Sequence, residues 1–347
     1  MRFMRWKSLP ALLRHSLLAC TLASEVAGMV YAQNPGAQLT AKLQEISQAH
    51  HGNVALYAMQ LNTGKSIAIH ENEPVQTASV IKLAILYEAM EQVRAGKARW
   101  DEKMTLNPAD VVGGSGMLHF FDTPIALTLK DVLTFMVIVS DNTATNLAID
   151  RFGIDSVNAR MESLGLNNTH LYKKVFKPAA GPMPADQPKF GLGKTTPKEM
   201  AILLGYIGTC QLHVERPAAG APPVAPRPAE PDPEDRAVCD VALGMLKNQF
   251  YRETIPRYLA NGGEGATASK TGSLDAVRAD VAIVAGKTGP MVLSVFTYDN
   301  ADRGWTVDNE GEVTIAKLAR EIVGAWSPDG LDGKLLLPGL QRKATVE

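Results

Sequence analysis

The sequence has little of what characterises several large classes of protein. Its 347 residues include 35 Lys and Arg against 36 Asp and Glu, so there is no excess of positive charge to attract a nucleic acid backbone. Only three cysteines occur, and no Cys-x-x-Cys or His-x-x-x-His spacing is present. We therefore predict no metal, no other cofactor, no nucleic acid partner and no disulfide-based scaffold. The 46% of hydrophobic residues is ample for a core, and this length suggests two domains or one domain of two lobes.

The N-terminal residues have the pattern of an export signal. An apolar stretch over residues 17–32 follows four basic residues, namely Arg2, Arg5, Lys7 and Arg14. Small residues at 30 and 32 predict cleavage after Ala32, which would leave residues 33–347 in the periplasm or secreted. The stretch is short and contains Glu25, which argues against a membrane span. An alternative stays open, because residues 17–20 resemble a lipobox and a lipid on Cys20 would tether the protein to a membrane.

Hydrophobic periodicity predicts strands at both ends of the mature chain and helices between them. Strand patterns cover residues 53–60, 66–70, 267–271, 279–285 and 291–298. Helical patterns cover residues 37–50, 79–93, 129–138, 142–151, 155–163, 197–208, 234–248 and 312–326. We expect an α/β (α+β) fold, with a mixed, mainly antiparallel sheet flanked by the N- and C-terminal helices and an inserted all-helical lobe. The α/β lobe would comprise about 37–78 and 262–347, the helical lobe about 79–261, with a cleft at their junction.

A proline-rich insertion interrupts the helical region over residues 214–236. Its eight prolines exclude a helix or a central strand, so we expect extended, solvated chain. Cys210 and Cys239 flank the insertion. A disulfide between them and two separate buried thiols are equally compatible with the sequence.

Ser79 and Lys82 stand three residues apart at the start of the predicted buried helix, which places a hydroxyl and an ammonium on one face. A serine hydroxyl becomes nucleophilic when a base takes its proton, and a lysine in a partly desolvated site can have its pKa lowered enough to act as that base. The helix N-terminus also favours negative charge that develops beside Ser79. The pair alone is a weak signal, because roughly one or two Ser-x-x-Lys pairs arise by chance in a chain of this length.

Two further motifs strengthen the signal. Ser-Asp-Asn at 140–142 lies at a predicted turn between two helices, and Lys-Thr-Gly-Ser at 270–273 lies on the first C-terminal strand. The first also fits a plain helix N-cap, and the second also fits a strand that ends at a glycine. A second Lys-Thr-Gly at 287–289 precedes a proline between two strands, so we interpret it as a hairpin turn whose lysine faces solvent. The order of the three motifs favours one shared site at the lobe junction.

Together the three motifs resemble those of the penicillin-recognising serine hydrolases, and their layout is most similar to that of class A β-lactamases. The similarity covers most of the mature chain outside the proline-rich insertion. It implies a β-lactamase/transpeptidase-like fold and a small-molecule substrate, either a β-lactam or an acyl-D-Ala-type peptide.

The resemblance implies catalytic roles for four residues. Ser79 would be the nucleophile, Lys82 its activating partner, and Ser140 the residue that passes a proton to the leaving nitrogen. Lys270 would bind the carboxylate of the substrate. These roles are mutually consistent, because acyl transfer needs a nucleophile and a path for its proton.

The resemblance also implies a substrate-binding set, which comprises Asn142, Thr271, Gly272, Ser273 and Arg278. Asn142 would hold the acyl-amide side chain, and Thr271 would share the carboxylate with Lys270. The backbone N–H groups of Ser79 and Ser273 would form the oxyanion hole. Arg278 would add positive charge for the carboxylate, although a solvated arginine at a strand end fits its position equally well.

One motif of the resembled family is missing. Class A β-lactamases carry Glu-x-x-Leu-Asn after Ser-Asp-Asn, and that glutamate activates the water for deacylation. The corresponding stretch, residues 171–196, has no glutamate, and its one acid is Asp186 among several lysines. Either Asp186 or another group replaces the glutamate, or the acyl ester is long-lived, or the true substrate departs without that water.

Three functions stay open from the sequence. The first is an exported serine hydrolase of the class A β-lactamase type, which hydrolyses the β-lactam amide through an acyl-Ser79 intermediate. The second is a related D-alanyl-D-alanine carboxypeptidase or esterase that β-lactams acylate and inhibit. The third is a non-catalytic binding protein with the same fold, which the intact Ser79, Lys82 and Ser140 disfavour.

Overall fold

The computed structural model describes residues 35–218 and 220–333. The predicted signal over residues 1–32 and the alternative lipobox at Cys20 lie outside the described residues. The described chain from Leu39 onward belongs to one compact unit. None of the helices in this described part is both long enough and apolar enough to cross a bilayer.

Helices and strands follow one another along the chain in an order close to that predicted. The α-helices are α1 (Pro35–Gln48), α2 (Lys82–Arg94), α3 (Leu129–Ile138), α4 (Asn142–Phe152), α5 (Ile154–Ser163), α6 (Gln187–Phe190), α7 (Pro197–Gly208), α8 (Pro233–Lys247) and α9 (Glu310–Trp326). The strands are β1 (Asn53–Gln60), β2 (Ser66–Ile69), β3 (Val75–Gln76), β4 (Lys103–Leu106), β5 (Ile125–Thr128), β6 (His170–Leu171), β7 (Gly193–Thr195), β8 (Thr267–Leu274), β9 (Val277–Gly286) and β10 (Gly289–Tyr298). Every element predicted from periodicity is present, and the unpredicted ones are the short elements β3 to β7 and α6.

The described strands form one large antiparallel sheet and two small ones. The large sheet has the order β2-β1-β10-β9-β8, so strands from both ends of the chain meet at its centre. Asn53 of β1 lies opposite Tyr298 of β10, and Lys270 of β8 lies opposite Val281 of β9. The predicted fold class, a mainly antiparallel sheet with terminal helices and helices inserted between its strands, is confirmed.

Helices cover both faces of the large sheet, so its central strands are buried on both sides. Every residue of β9 is buried, which explains why its sequence does not alternate between apolar and polar residues. On one face α1 and α9 pack with residues such as Leu43 and Trp326. On the other face α2 and α7 pack with residues such as Leu83 and Ile283. Strand β8 forms the sheet edge, and its middle lies against the segment that leads into α2.

Five of the described helices, α3, α4, α7, α8 and α9, begin at a side-chain cap, whereas α2, α5 and α6 do not. Thr128, Asp141, Thr196 and Asp232 accept backbone hydrogen bonds at the starts of α3, α4, α7 and α8. Helix α2 instead continues directly from a 3-10 turn over Ala78–Ile81. This turn contains Ser79 and is packed inside the protein. Contacts with the surrounding residues therefore stabilise the start of α2, where other helices have a side-chain cap.

The proline-rich insertion is less solvated than expected. No described residue between α7 and α8 belongs to a helix or a strand, as the prolines predict. However, Pro226 is buried, and a Cβ atom on Gly205 of α7 would lie 2.4 Å from its ring. The hydroxyl of Tyr206 donates to the carbonyl oxygen of Val224. Most described residues of the insertion are exposed or partly exposed, as expected, and Pro226 is the exception because the absence of a side chain at Gly205 lets its ring pack on α7.

A disulfide joins Cys210, just after α7, to Cys239 in α8. Both cysteines are buried. Of the two arrangements compatible with the sequence, the paired one is therefore observed, and the bond closes a loop with a sequence separation of 29 residues around the insertion.

Replacing both Cys210 and Cys239 by serine should lower the free energy of unfolding by about 2 to 4 kcal/mol, because the disulfide restricts the unfolded chain across this loop. Urea denaturation measured by circular dichroism would give the difference. Reduced native protein is the matched control and should unfold near the same urea concentration as the variant. Two alkylatable thiols in the unreduced native protein would contradict the bond.

Candidate active site

Ser79 and Lys82 are one turn apart at the entry to α2. Ser79 lies in the 3-10 turn, and the backbone N–H of Lys82 donates to the carbonyl oxygens of Ser79 and Val80. In a 3-10 turn, residues three apart lie almost directly above one another, so the two side chains share one side of the turn. Ser79 is partly exposed whereas Lys82 is fully buried, which places the hydroxyl at the surface of a site and the amine inside it.

The hydroxyl of Ser140 lies between two buried lysines. The Nζ atom of Lys82 donates to Ser140 Oγ at 3.0 Å and to the Ser140 carbonyl oxygen at 2.7 Å. The Nζ atom of Lys270 donates to the same Oγ at 3.0 Å and to the Thr271 carbonyl oxygen at 2.7 Å. Ser140 has a φ of 55°, a strained conformation for a residue with a side chain. These contacts join all three predicted motifs around one oxygen atom.

Asn142 and Asp141 connect this centre to the loop over residues 111–121. Asn142 Oδ1 accepts from Lys82 Nζ at 3.3 Å, and its Nδ2 donates to the carbonyl oxygen of Gly113 at 3.1 Å. Asp141 caps α4 through Oδ1, and its Oδ2 accepts from the backbone N–H groups of Met117 and Leu118 at 2.6 and 2.8 Å. The helix-cap interpretation of the Ser-Asp-Asn motif is therefore correct for Asp141. The motif also places Ser140 and Asn142 in the site.

Gly272 allows β8 to approach the 3-10 turn. A Cβ atom at this position would stand 3.0 Å from both the Ser79 nitrogen and the Thr77 carbonyl oxygen. Such a contact is tighter than side chains normally tolerate, so a larger residue would push the strand away from Ser79. The backbone of Ser273, the next residue and partly exposed, is therefore brought near Ser79.

Burial controls the charge of the two lysines. It lowers the pKa of Lys82 well below its ordinary value of 10.5, and the neighbouring charge of Lys270 lowers it further, while Asp141 partly offsets this. Burial also lowers the pKa of Lys270 to about 7. Asp280, on the other face of the sheet, is buried too, and burial raises its pKa to about 6 although Thr254 donates to it. Two ammonium groups that share one hydroxyl in so dry a site repel each other, which favours the neutral form of Lys82.

Arg278 does not belong to this site, so the assignment of this residue to substrate binding was wrong. Lys270 lies opposite Val281, three residues from Arg278, and strand residues an odd number apart point to opposite faces of the sheet. Arg278 is fully buried, forms an ion pair with Glu312 of α9 at 3.2 Å, and lies over the ring of Trp305. The alternative of a solvated arginine is excluded as well, because backbone carbonyl groups also accept hydrogen bonds from its guanidinium.

The loop over residues 171–196 supplies no carboxylate to Lys82. Asp186 is half-exposed and pairs with Lys194 at 2.7 Å, and this hydrogen bond lowers the pKa of Asp186. In the described part of the chain, the acceptors for Lys82 Nζ are Ser140 Oγ, the Ser140 carbonyl and Asn142 Oδ1, and none is a carboxylate. The structure thus gives Asp186 a partner other than the catalytic lysine candidate.

The side chain of Asn146 binds the loop over residues 171–196 at Val175, a contact that was not predicted from the sequence. Its Nδ2 donates to the carbonyl oxygen of Val175 at 3.0 Å, and its Oδ1 accepts from the N–H of Val175 at 2.8 Å. Asn146 lies one helical turn after Asn142, so the only available signal was a second asparagine at i+4 on the same helix face. His119 stacks on Phe120 in the loop over residues 111–121.

The second Lys-Thr-Gly forms the turn between β9 and β10, as predicted. Its lysine, Lys287, is exposed, and its N–H donates to the carbonyl oxygen of Gly330. Lys287 therefore has the same local sequence as Lys270 in a fully different environment, which makes it a natural control for experiments on the buried lysine.

In this site a serine precedes a buried lysine, and a second serine hydroxyl lies between two lysines. The edge of the sheet also lies against the first serine. Together with the fold, this arrangement is that of a serine β-lactamase-like protein. The chain belongs to the β-lactamase enzyme family, whose family model matches residues 38–215 and 233–326. The gap in this match covers most of the proline-rich insertion.

Solved structures agree with this assignment. A β-lactamase from Sphaerobacter thermophilus is 28% identical, with a TM-score of 0.66 over 83% of this chain and 97% of that chain. A mutant of PBP-A, solved as an acyl-enzyme complex with penicillin-G, is 22% identical and has the same fold, with a TM-score of 0.64 over 84% of this chain and 97% of that chain. Among curated proteins, the β-lactamase regulatory protein BlaB of Streptomyces cacaoi is 22% identical over 308 residues, which cover 81% of this chain and 96% of that protein.

Replacing Lys270 by Met should flatten the dependence of stability on pH. The unfolded chain keeps the Lys270 proton up to its ordinary pKa of 10.5, whereas the folded protein loses it near pH 7. Between these values the unfolded state binds more protons, so the folded state gains stability as pH rises. Relative to the variant, the native protein should gain about 1 to 2 kcal/mol of unfolding free energy between pH 7 and 9, measured by urea denaturation.

The exposed Lys287 provides the matched control for this experiment. Lys287→Met should leave the pH dependence of the native protein unchanged. Equal slopes for the native protein and the Lys270→Met variant would contradict the lowered pKa of Lys270.

Proposed function

We propose that the protein is a serine hydrolase that opens the amide bond of a β-lactam through an acyl-Ser79 intermediate. The observation that carries this proposal is the position of the Ser140 hydroxyl between Lys82 Nζ and Lys270 Nζ, each 3.0 Å away. The burial of two amines is costly in desolvation, which argues against a site that only binds. An acyl-transfer enzyme needs such an arrangement to move a proton from the nucleophile to the leaving group.

In the proposed acylation step, neutral Lys82 takes the proton of Ser79 as Ser79 Oγ attacks the carbonyl carbon. The N–H groups of Ser79 and Ser273 stabilise the tetrahedral oxyanion. The carbon–nitrogen bond then breaks, Ser140 gives its proton to the leaving nitrogen, and Lys82 returns a proton to Ser140. This relay is supported by the 3.0 Å contact between Lys82 Nζ and Ser140 Oγ, and it leaves Lys82 neutral again.

Lys270 and Asn142 orient the substrate in this proposal. Protonated Lys270 attracts the carboxylate that β-lactams and acyl-D-Ala peptides share, and a bound carboxylate would raise the pKa of Lys270 from about 7. Thr271, the next residue of β8, lies opposite Asp280 and so faces the other side of the sheet, and the carboxylate role expected for its side chain is therefore not retained. One amide hydrogen of Asn142 Nδ2 is donated to the carbonyl oxygen of Gly113. In the proposal, its second amide hydrogen is donated to the carbonyl oxygen of the acyl side chain of the substrate.

A second candidate function is favoured by the contacts of Lys82. Hydrolysis of the acyl ester requires a base for the water, and none of the acceptors of Lys82 Nζ among the described residues is a carboxylate. A D-alanyl-D-alanine carboxypeptidase or esterase that β-lactams acylate and inhibit would have the same acylation chemistry with slow hydrolysis of the β-lactam ester. The structural likeness to PBP-A, a mutant of which forms an acyl-enzyme with penicillin-G, is compatible with this candidate.

Brief exposure to benzylpenicillin should increase the intact mass of the protein by one penicillin molecule. Ser79→Ala should abolish the adduct, because it removes the nucleophile. Lys82→Ala should slow adduct formation by at least about 100-fold, because it removes the base. Lys287→Ala is the matched control and should form the adduct at the native rate.

Turnover distinguishes the two candidates. Continuing hydrolysis of a chromogenic cephalosporin, abolished by Ser79→Ala, is expected of the first. A burst of one equivalent followed by no further product would overturn the first candidate in favour of the second. The absence of both adduct and turnover would contradict both and leave a binding protein with this fold.

We further propose that the protein acts outside the cytosol, after cleavage at Ala32. The buried disulfide between Cys210 and Cys239 supports this proposal, because such bonds persist in oxidising compartments. Protein recovered from the producing cells should begin at Gln33 by N-terminal sequencing or intact mass. A lipid-modified N-terminal Cys20 would instead favour the membrane-tethered alternative, and an uncleaved N-terminus would contradict both.

A further inference from the structure

Phe176 occupies an unusual position next to the candidate active site. Its φ is 54°, in the left-handed region that bulky residues rarely adopt, and 71% of its surface is exposed. The preceding residue, Val175, is held through both its N–H and its carbonyl oxygen by the side chain of Asn146. A large apolar side chain is thus kept in solvent by a constrained backbone, an arrangement that persists only where surrounding contacts enforce it.

The ring of Phe176 lies against Gly114 and close to Asn142. A Cβ atom on Gly114 would stand 2.9 Å from Phe176 Cε2 and 3.3 Å from Cζ. The same point is 2.7 Å from Asn142 Nδ2. The ring edge and the amide nitrogen of Asn142 are therefore close neighbours across Gly114, whose lack of a side chain makes room for both. Phe176 reaches this place from the loop over residues 171–196, whereas Asn142 belongs to α4.

The hydrogen bonds of Asn142 determine which part of a substrate would lie next to the Phe176 ring. Asn142 Oδ1 is engaged with Lys82, and one hydrogen of Nδ2 is engaged with Gly113. The other hydrogen of Nδ2 is the donor left for the acyl-amide carbonyl of a substrate. The group attached to that carbonyl then extends past Asn142, where the exposed ring of Phe176 is the neighbouring apolar surface.

We propose that Phe176 is a specificity-determining residue that binds an aromatic group on the acyl side chain of the substrate. This inference rests on the proposed acylation of Ser79 and specifies its substrate class as acyl donors with an arylacetyl or similar aromatic side chain. Contact with the substrate removes the exposed ring from water, and two aromatic rings gain additional energy from edge or offset stacking. The enforced position of the ring means that little conformational freedom is lost when the substrate binds.

A pair of penicillins that differ only in the aromatic ring tests this assignment. Benzylpenicillin carries a phenylacetyl side chain, and acetamidopenicillanic acid keeps the same amide carbonyl but has a methyl group in place of the benzyl group. The second-order rate constant of acylation is measured for both by a time course of intact mass. Phe176→Ala should lower this constant about five- to tenfold for benzylpenicillin and by less than about twofold for acetamidopenicillanic acid.

Two further variants serve as controls. Phe176→Leu keeps an apolar side chain and should lose less of the preference for benzylpenicillin than Phe176→Ala. Tyr258→Ala removes another partly exposed aromatic side chain, one that stacks on Arg257 and Arg320 of the surface near α9, and should leave both rate constants unchanged. Thermal unfolding of each variant verifies that the loop change does not destabilise the protein.

The outcomes separate this inference from the proposed function. An equal decrease for both penicillins in Phe176→Ala would overturn the specificity role in favour of a loop-positioning role. Unchanged rate constants for both would overturn it as well, while leaving acylation of Ser79 intact. A native protein that forms no adduct with either penicillin would overturn the proposed function and this inference together.

Discussion

The site depends on the burial of two lysine amines around one serine hydroxyl. Water would separate and hydrate Lys82 and Lys270, but inside the protein each has the Ser140 hydroxyl and a backbone carbonyl as acceptors. Burial and repulsion by Lys270 lower the pKa of Lys82, which favours its neutral form. The positive φ of Ser140 is part of the same constraint, because it turns both the carbonyl oxygen and the hydroxyl toward Lys82.

Three parts of the chain must be held at fixed separation for this burial to be possible. The sheet supplies Lys270 through the register of β8 with β9, and the buried 3-10 turn supplies Ser79 and Lys82. Gly272 sets the distance between them, since any side chain there would contact the Ser79 nitrogen. The Asp141 carboxylate completes the arrangement, because it caps the start of α4 and also fixes the loop at Met117. Large-scale core packing and local catalytic geometry are thus coupled through a few close contacts.

The sequence predicted the elements and the motif residues well, for physical reasons that operate locally. Apolar periodicity determines which segments form helices and strands, so α3 and α7 were predicted with their observed ends. The environment of Arg278 could not be predicted, because which face of β9 it occupies depends on register, and its ion pair with Glu312 joins residues that are distant in sequence. The packing of Pro226 on Gly205 and the hold of Asn146 on Val175 are also long-range contacts with no local pattern. The division into lobes at residues 79 and 262 stays a prediction.

Acylation and deacylation make different demands on the proposed active site. Acylation needs a base and a proton relay next to the nucleophile, and in the proposed function the buried lysines with Ser140 supply both. Deacylation needs a second base that can reach a water on the acyl carbon, and the described contacts place two amines, those of Lys82 and Lys270, and no carboxylate beside Ser140 Oγ. Lys82 is neutral again once the leaving nitrogen has received its proton, so one amine can in principle serve both steps. Burial is the larger cause of the lowered pKa of Lys82, and repulsion by Lys270 adds to it. A substrate carboxylate paired with Lys270 would offset that repulsion while the effect of burial remains, so we expect proton uptake by Lys82 during deacylation to be easier while the carboxylate stays bound to Lys270.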